Sequence, residues 1–334
     1  MDPLTQATLG AVAAQPFIKK TSWPLWTLVG MLGGMAADLD VLIESPTDPL
    51  LGLQYHRHFT HSLFFIPIGG ALVAWVLYRL FLKKRQHSFK TVYFFSTVGY
   101  ATHGLLDGCT SYGTQLMWPL SNFRYAWDSM PIIDPLFTLP LLGLTLFAAW
   151  KKNKRFSYIA VAYMSAYLSF GFYQHSRALS LLQALLINRN HQAEKVTAKP
   201  SFGSLLLWRT IYLANGKIYY DAFRLPYFSK DHQFFQGGEI AHYQPKPGPP
   251  KTVLEQDIAR FNWFSDGYLA RLPEEPDVLA DMRYATLPQA RGPLWGIRVD
   301  ENRPDQHIQR VFYRNFDPVE AQQFWDLLLK GKSE

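Results

Sequence analysis

The sequence predicts an all-α transmembrane helical bundle followed by a small C-terminal α+β extramembrane domain. Three observations predict it. The mean hydropathy of -0.08 belongs to a soluble protein, yet long apolar runs fill the first half of the chain. Residues 1–200 carry 17 Lys+Arg against 9 Asp+Glu, and residues 201–334 carry 16 against 17. The net charge of +7 therefore arises in the first half, where the basic residues sit in short clusters between apolar runs. That is the pattern of membrane loops, not of a nucleic-acid-binding surface.

A helix needs roughly 20 apolar residues to cross about 30 Å of hydrocarbon. Four stretches approach this: residues 23–43, apolar until Asp38; 62–82, the clearest span; 91–109, which turns polar at its end; and 131–150, with one acid. An aromatic fifth covers 156–178, and the short stretch 4–18 reads as a sixth helix that crosses only in part. The competing reading is a buried soluble core, against which the length of the runs argues. The acidic start of residues 1–18, with lysines after the apolar part, predicts no cleavable signal peptide.

With six segments, Lys19-Lys20, Lys83 to Lys90 and Lys151 to Arg155 fall on one side. The positive-inside rule makes that side cytoplasmic. Loops 44–61 and 110–130 and the C-terminal domain then face outward. This divides the chain into a multi-pass membrane domain, 1–182, and an extracytoplasmic domain, 183–334, in a bacterial plasma (inner) membrane.

In the second domain, TIYLANGKIYYDAFRL has two β-rich runs around Asn215-Gly216, a strong hairpin signal. LWGIRVD and VFYRNF read as further strands, QPKPGPPK as a loop, and DPVEAQQFWDLLLKG as a closing helix capped by Asp317. The single cysteine, Cys109, excludes a disulfide framework and a Cys-rich zinc site.

Ionisable residues inside spans are costly and signal function. Asp38 and Asp40 lie at the outward end of the second segment, and His56 and His61 just before the next. His103 and Asp107 end the following one, and Asp134 opens the span after it. Four segments thus deliver polar groups to one level of one face. His103 and Asp107, four apart, share a helix face. Asp38 and Asp40, two apart, cannot, and need a helix end. Thr60 or Ser62 can cap the next helix and hold His61 at its mouth. Imidazole with carboxylate suits zinc first, with manganese or iron as alternatives, in one or two ions.

Several of these residues also have an ordinary structural explanation. Asp38 and Asp40 could form a helix-end turn, and Asp134 could be an N-cap before Pro135. Arg57 could bind lipid phosphate simply by lying among headgroups. His58 reads as a surface or supporting residue, His175 as a helix-end histidine and Cys109 as structural. No HExxH, GxSxG or P-loop motif is present.

MDPLTQATLGA, AADLDVL, YHRHFTHS, HGLLDGCTSYGTQLMWP and IDPLFTLP together resemble the membrane-bound metal-dependent hydrolase family, the YdjM-type proteins. The resemblance covers about residues 1–180, with PSFGSLLLWR at 200–209 similar to the long members. It implies Asp38, Asp40, His56, Arg57, His61, His103 and Asp107 as metal-site residues. Where many members carry a histidine near the N-terminus, this chain has Gln6, a much poorer zinc ligand. The family's motif order is distantly similar to that of zinc-dependent phospholipase C, which suggests phosphodiester hydrolysis.

The expectation is therefore a divalent-metal-dependent hydrolase held in the lipid bilayer, acting on an amphiphilic or phosphate-bearing substrate. Asp38, Asp40, His56, His61, His103 and Asp107 would be its metal residues, and Arg57 and Asp134 its catalytic residues. The alternatives are an ion- or proton-coupled transporter and a scaffold stapled by metal that binds a partner through its C-terminal domain. A transporter would show polar groups through the depth of several spans, whereas here they stop at one level. A structural zinc site would be closed by four ligands.

Overall fold

The computed structural model of the chain describes residues 1–19, 22–313 and 317–331. Lys20 of the first basic cluster and residues 314–316 of the VFYRNF run lie outside the described residues. The chain forms two compact units, one of Met1–Ile43, Gly52–Tyr173 and Phe202–Ser204, the other of Glu44–Leu51, Gln174–Ser201 and Leu205–Glu334.

The first unit is helical. Its elements are α1 (Pro3–Ala14), α2 (Trp23–Met35), α3 (Leu51–Tyr55), α4 (Ile66–Leu77), α5 (Phe89–Cys109), α6 (Pro135–Lys151) and the first part of α7 (Lys154–Arg189). All of α3 except Leu51 belongs to this unit. Helix α2 continues as a 3-10 helix over Ala36–Leu42, and α4 runs from a 3-10 turn at Leu63–Phe65 to a π-helical end at Tyr78–Leu82. Helix α1 is buried on nearly every side among α2, α5 and α6. Glycines allow this: a Cβ on Gly10 would lie 2.3 Å from the Gly30 carbonyl oxygen, and one on Gly34 would lie 2.5 Å from that of Gln6. Backbones this close are typical of small-residue helix contacts in membranes.

Two of the described helices are long and apolar enough to cross a membrane, Trp23–Leu42 and Leu63–Leu82. Helix α6 is apolar but has 17 residues, and α1, with 12, spans only about 18 Å. The structure thus gives a helical N-terminal unit with two candidate spans where the sequence expects six segments. Large apolar side chains including Leu28, Leu39, Ile68, Leu72, Trp75 and Leu80 remain exposed on these spans. Isolated exposed apolar residues are ordinary, but a continuous band of them marks an interaction surface such as lipid.

The ends of the helices differ in character. At one end Ile18, Trp23, Trp26, Leu82, Val92, Phe95 and Ala148 form an apolar cluster with Phe156 against it. Lys19, the Lys83–Lys90 turn and Lys151–Arg155 lie within a few residues of that cluster, so the basic groups share this end. The acids collect at the other, with the histidines except His87, which packs on Trp26. From Phe95 to His103 along α5 is about 12 Å.

The second unit contains the remainder of α7, two four-stranded antiparallel sheets and two further helices. Strands β1 (Lys195–Pro200), β2 (Leu207–Ala214), β3 (Lys217–Arg224) and β4 (Gln233–Ala241) form one sheet in sequence order. Helix α8 (Val253–Phe264) follows, then β5 (Leu269–Arg271), β6 (Val278–Asp281), β7 (Trp295–Arg298) and β8 (Gln309–Phe312), again in sequence order. Helix α9 (Pro318–Trp325) closes the chain, with the Asp317 carboxylate accepting from Val319 N–H. Asn215 and Gly216 both have positive φ, 52° and 69°, as a two-residue type I′ hairpin requires. Ile211, Ile218 and Ile240 of the first sheet pack with Ala270, Val278 and Ala280 of the second in one core.

Strands β1, β4, β5 and β6 were not anticipated from sequence; β6 (VLAD) and β5 (LAR) are too short to carry an alternating pattern. His175 is not at a helix end. It lies inside the 36-residue α7 and stacks on Trp208.

Candidate metal centre

Three local devices build the site. The first is the end of α2. Beyond Gly33-Gly34 the chain tightens into the 3-10 segment Ala36–Leu42, which turns Asp38 toward α5 and Asp40 toward the following loop. The second is the loop itself, where Arg57 adopts φ 63°. This left-handed conformation is strained for a residue with a Cβ. It is fixed from both sides: Arg57 N–H donates to Asp40 Oδ2 at 3.0 Å, and Arg57 C=O accepts from Gln115 N–H at 3.0 Å. The third is Gly104. A Cβ there would lie 2.1 Å from the His61 carbonyl oxygen, so only glycine lets the Phe59–His61 turn rest on α5 beside His103.

Four side-chain atoms from these pieces converge. Asp38 Oδ1 is 3.2 Å from His103 Nε2 and 3.4 Å from His61 Nε2. Asp107 Oδ2 is 3.2 Å from His61 Nε2 and 3.7 Å from His103 Nε2. A tetrahedron with bonds of about 2.0–2.1 Å, the zinc–nitrogen and zinc–oxygen range, has edges of about 3.3 Å. His61, His103 and Asp107 side chains are fully buried, while that of Asp38 is 20% exposed.

The hydrogen bonds behind these atoms set the tautomers. His103 Nδ1 lies 2.5 Å from the Gly34 carbonyl, which can only accept, so Nδ1 carries the hydrogen and Nε2 presents its lone pair. His61 Nδ1 faces Thr60 Oγ1 at 3.0 Å and Asp40 Oδ2 at 3.2 Å. Its Nε2 therefore points inward and carries the proton that an ion would displace. Metal-binding histidines are held in this way, by a carbonyl or carboxylate on the far nitrogen. His61 Nε2 and Asp107 Oδ2 are buried and have no hydrogen-bond partner among the described residues. Burial pushes the His61 proton off, but Asp107, Asp38 and Asp40 outweigh it and raise the pKa to about 10. The carboxylates thus favour positive charge at this position, which is a proton on His61 when no ion is bound. The residues fit a divalent ion by donor type, spacing and orphaned atoms.

A second grouping shares Asp38. Asp38, Asp40 and His56 also offer donor atoms close enough for one ion. His56 Nδ1 is 2.8 Å from Asp40 Oδ1, and the His56 side chain is 26% exposed. Asp40 is itself heavily engaged, by His56, Arg57 N–H, Thr60 Oγ1 and His61. Thr60 is therefore a support for Asp40 and not a helix cap. Ser62 is the cap, its hydroxyl accepting from Phe65 N–H.

Arg57 is only 5% exposed and does not lie among headgroups. Its Nε is 3.2 Å from Asp107 Oδ2, its Nη1 donates to Thr110 Oγ1 at 2.7 Å, and its guanidinium lies 5.0 Å from the Tyr112 ring centre. Gln6 is buried at the site and donates from Nε2 to Asp107 Oδ1 at 2.9 Å, while its Oε1 is unpartnered among the described residues. The Met1 amino group pairs with the same Asp107 oxygen. Asp134 is not gathered into either grouping. It caps α6, accepting from Leu136 and Phe137 N–H, and its other oxygen accepts from Tyr167 O–H at 2.8 Å. His58 packs against Trp118 and Tyr55, and Cys109 is a buried free thiol.

Sequence reasoning missed Thr110, Tyr112 and the Gly34 carbonyl. Thr110 and Tyr112 lie in the polar run after Asp107, but only the structure shows that Arg57 is buried and takes them as partners.

The model of the YdjM inner membrane protein family matches residues 1–178. The chain belongs to this family. The match contains every residue of the two groupings and stops within α7, leaving the sheets of the second unit outside it. No curated protein and no solved structure matches the chain, and the likeness to zinc-dependent phospholipase C remains an expectation from motif order.

Proposed function

We propose that this YdjM family member is a metal-dependent hydrolase embedded in the bacterial inner membrane, cleaving a phosphoester of an amphiphilic substrate. The observation that carries the reading is the convergence of donor atoms of Asp38, His61, His103 and Asp107 within 4.8 Å of one another, with two buried atoms that make no hydrogen bond among the described residues and one exposed flank. Asp38, His61, His103 and Asp107 would hold a divalent ion, zinc first, and Asp38, Asp40 and His56 a second. Such an ion supplies a Lewis acid and lowers the pKa of bound water to about 7.

The chain's own residues do the rest. Asp40 and the Gly34 carbonyl orient the two imidazoles. Gln6 and Arg57 hold the two oxygens of Asp107. Arg57 keeps a permanent positive charge at the buried edge of the cluster, where phosphoryl oxygens gain negative charge in the transition state. The partial exposure of Asp38 favours a site open to substrate over a closed structural one. Asp134, occupied as a helix cap, has no step in this scheme.

In the same reading six segments, the first of them crossing only in part, enter the bilayer, the basic ends lie in the cytoplasm, and the second unit lies outside. The shared end of the basic clusters supports this orientation. Reporters fused after Arg85 and after Lys152 should then read as cytoplasmic, and one after residue 334 as external.

The decisive test is metal analysis of protein purified without chelator, followed by a phosphodiester and phospholipid panel. One or two bound ions and chelator-sensitive hydrolysis are expected. Absence of stoichiometric metal would sink the proposal.

A further inference from the structure

A cleft of about 560 Å³ opens beside the metal centre on the apolar surface of the first unit. This lies within the roughly 300–1,000 Å³ of small-molecule pockets. Its walls are the two helices long and apolar enough to cross a membrane: Leu32 and Leu39 on one side, Leu72 and Val76 on the other. From Phe65 to Leu77 it follows α4 for about 18 Å. Its lining is apolar except for Asp40, Thr60 and the Tyr100 ring. Those three are connected to the site, since Thr60 O–H donates to Asp40 Oδ2 at 2.8 Å and Tyr100 O–H donates to Thr60 C=O at 2.7 Å. The cleft therefore ends at Thr60, against the fully buried Asp40 carboxylate behind it, and an apolar body runs away from that end between the spans.

We infer that this cleft holds one acyl chain of a membrane phospholipid whose phosphate ester lies at the metal centre. The inference rests on the hydrolase reading and narrows its substrate to a long-chain lipid. The shape is that of the ligand: an end at Thr60, one hydrogen bond from the cluster, and a single narrow hydrocarbon body. A second helix would need a broad face, not a slot of about 18 Å along one helix. A soluble phosphate would need no apolar body at all. Leu39 and Leu72 are more than half exposed, so the cleft is open to the bilayer and a chain can enter laterally without leaving hydrocarbon.

The test is photolabelling of the full-length protein in phosphatidylglycerol vesicles that contain a phosphatidylglycerol with a diazirine in one acyl chain. Labels should concentrate at Leu39, Leu72 and Val76, at least five-fold above Trp150, an exposed apolar residue of α6. Leu72→Trp should fill the slot and lower labelling of Leu39 and Val76 at least five-fold, with bound metal retained as the check on folding. Leu72→Ala, which leaves the slot open, should label at least as strongly as wild type. Labels spread evenly over Trp150 and the cleft, or cleft labelling untouched by a metal-replete Leu72→Trp, would overturn the inference. Failure of the hydrolase reading appears differently, as cleft labelling intact in a protein that binds no metal and cleaves neither long-chain phosphatidylglycerol nor bis(4-nitrophenyl) phosphate.

Discussion

Two groups of aspartate and histidine in this molecule have the same composition and opposite character. In the second unit, Asp48, Asp257 and His307 come together, but Arg260 already lies among them. Its Nη2 is 2.9 Å from Asp48 and its Nη1 is 3.2 Å from Asp257, while His307 Nδ1 donates to Asp257 at 2.8 Å. The carboxylates there have their counter-charge. In the first unit, Asp38, His61, His103 and Asp107 are more deeply buried, and the inward atoms of His61 and Asp107 have no hydrogen-bond partner among the described residues. Asp107 there also has counter-charge, from Arg57 and the Met1 amino group. What separates a candidate metal centre from an ion-pair network is that the inward donor atoms of His61 and Asp107 are left to an ion by every neighbouring hydrogen-bonding group described.

The comparison can be broken most directly by removing ligands from each group. His103→Ala should lose the ion held with Asp38, His61 and Asp107, one ion per chain fewer than wild type, and Asp257→Ala should leave bound metal unchanged. Elemental analysis of both purified variants decides this, and equal metal loss in the two would erase the distinction. Chelator should lower the melting temperature of wild type more than that of His103→Ala, because a ligand bound only by the folded state stabilises it by about 2.7 kcal/mol at one hundred times its Kd.

A finer test separates the ion's ligands from what orients them. Asp40→Asn keeps the size of the side chain but weakens its hold on His61 Nδ1. Loss of such a supporting group costs roughly 10–100-fold in metal affinity, measured by competition with a chromophoric chelator. No change would mean that Thr60 alone orients the ring.

The acidity of His61 sharpens the contrast further. Its pKa is raised to about 10, so the ion-free cluster holds that proton at neutral pH and releases it only near 10. Metal must displace it at every lower pH. Affinity should therefore rise about tenfold per unit between about pH 6 and 9, with one proton released on binding. His61→Gln should flatten this slope. A slope already flat in wild type would place the proton elsewhere.

The smallest expected effect lies at Arg57. Arg57→Lys keeps the charge and loses the planar fork that reaches Asp107 and Thr110 together. Bound metal should stay within two-fold of wild type while turnover falls about tenfold. Loss of metal instead would make Arg57 a builder of the site and not a contributor to its chemistry.

Much of this centre was legible in the chain because its parts are local. His103 and Asp107 share a face by helical spacing, and Asp38 and Asp40 required a helix end, which the 3-10 segment provides. Asp134 shows the limit. Its level in the sequence matched the others, but an aspartate before Pro135 has a backbone role available, and the exposed N–H groups of α6 took it. Arg57 shows another limit, since adjacency to His56 does not reveal that its guanidinium turns inward to Asp107.

The sequence by itself determined a helical first half and the sharing of one end by its basic clusters. It also determined the Asn215-Gly216 hairpin and the residues that gather at one level. Each follows from periodicity, charge clustering or turn chemistry within a few residues. Tertiary structure decided which oxygen meets which nitrogen. It separated Asp40, behind His61, from Asp38, facing the ion position. It also brought Gln6 under Asp107 and opened an apolar cleft beside Asp40. Such choices depend on distances between segments tens of residues apart, set here by glycine contacts that let backbones touch, and no local pattern encodes them.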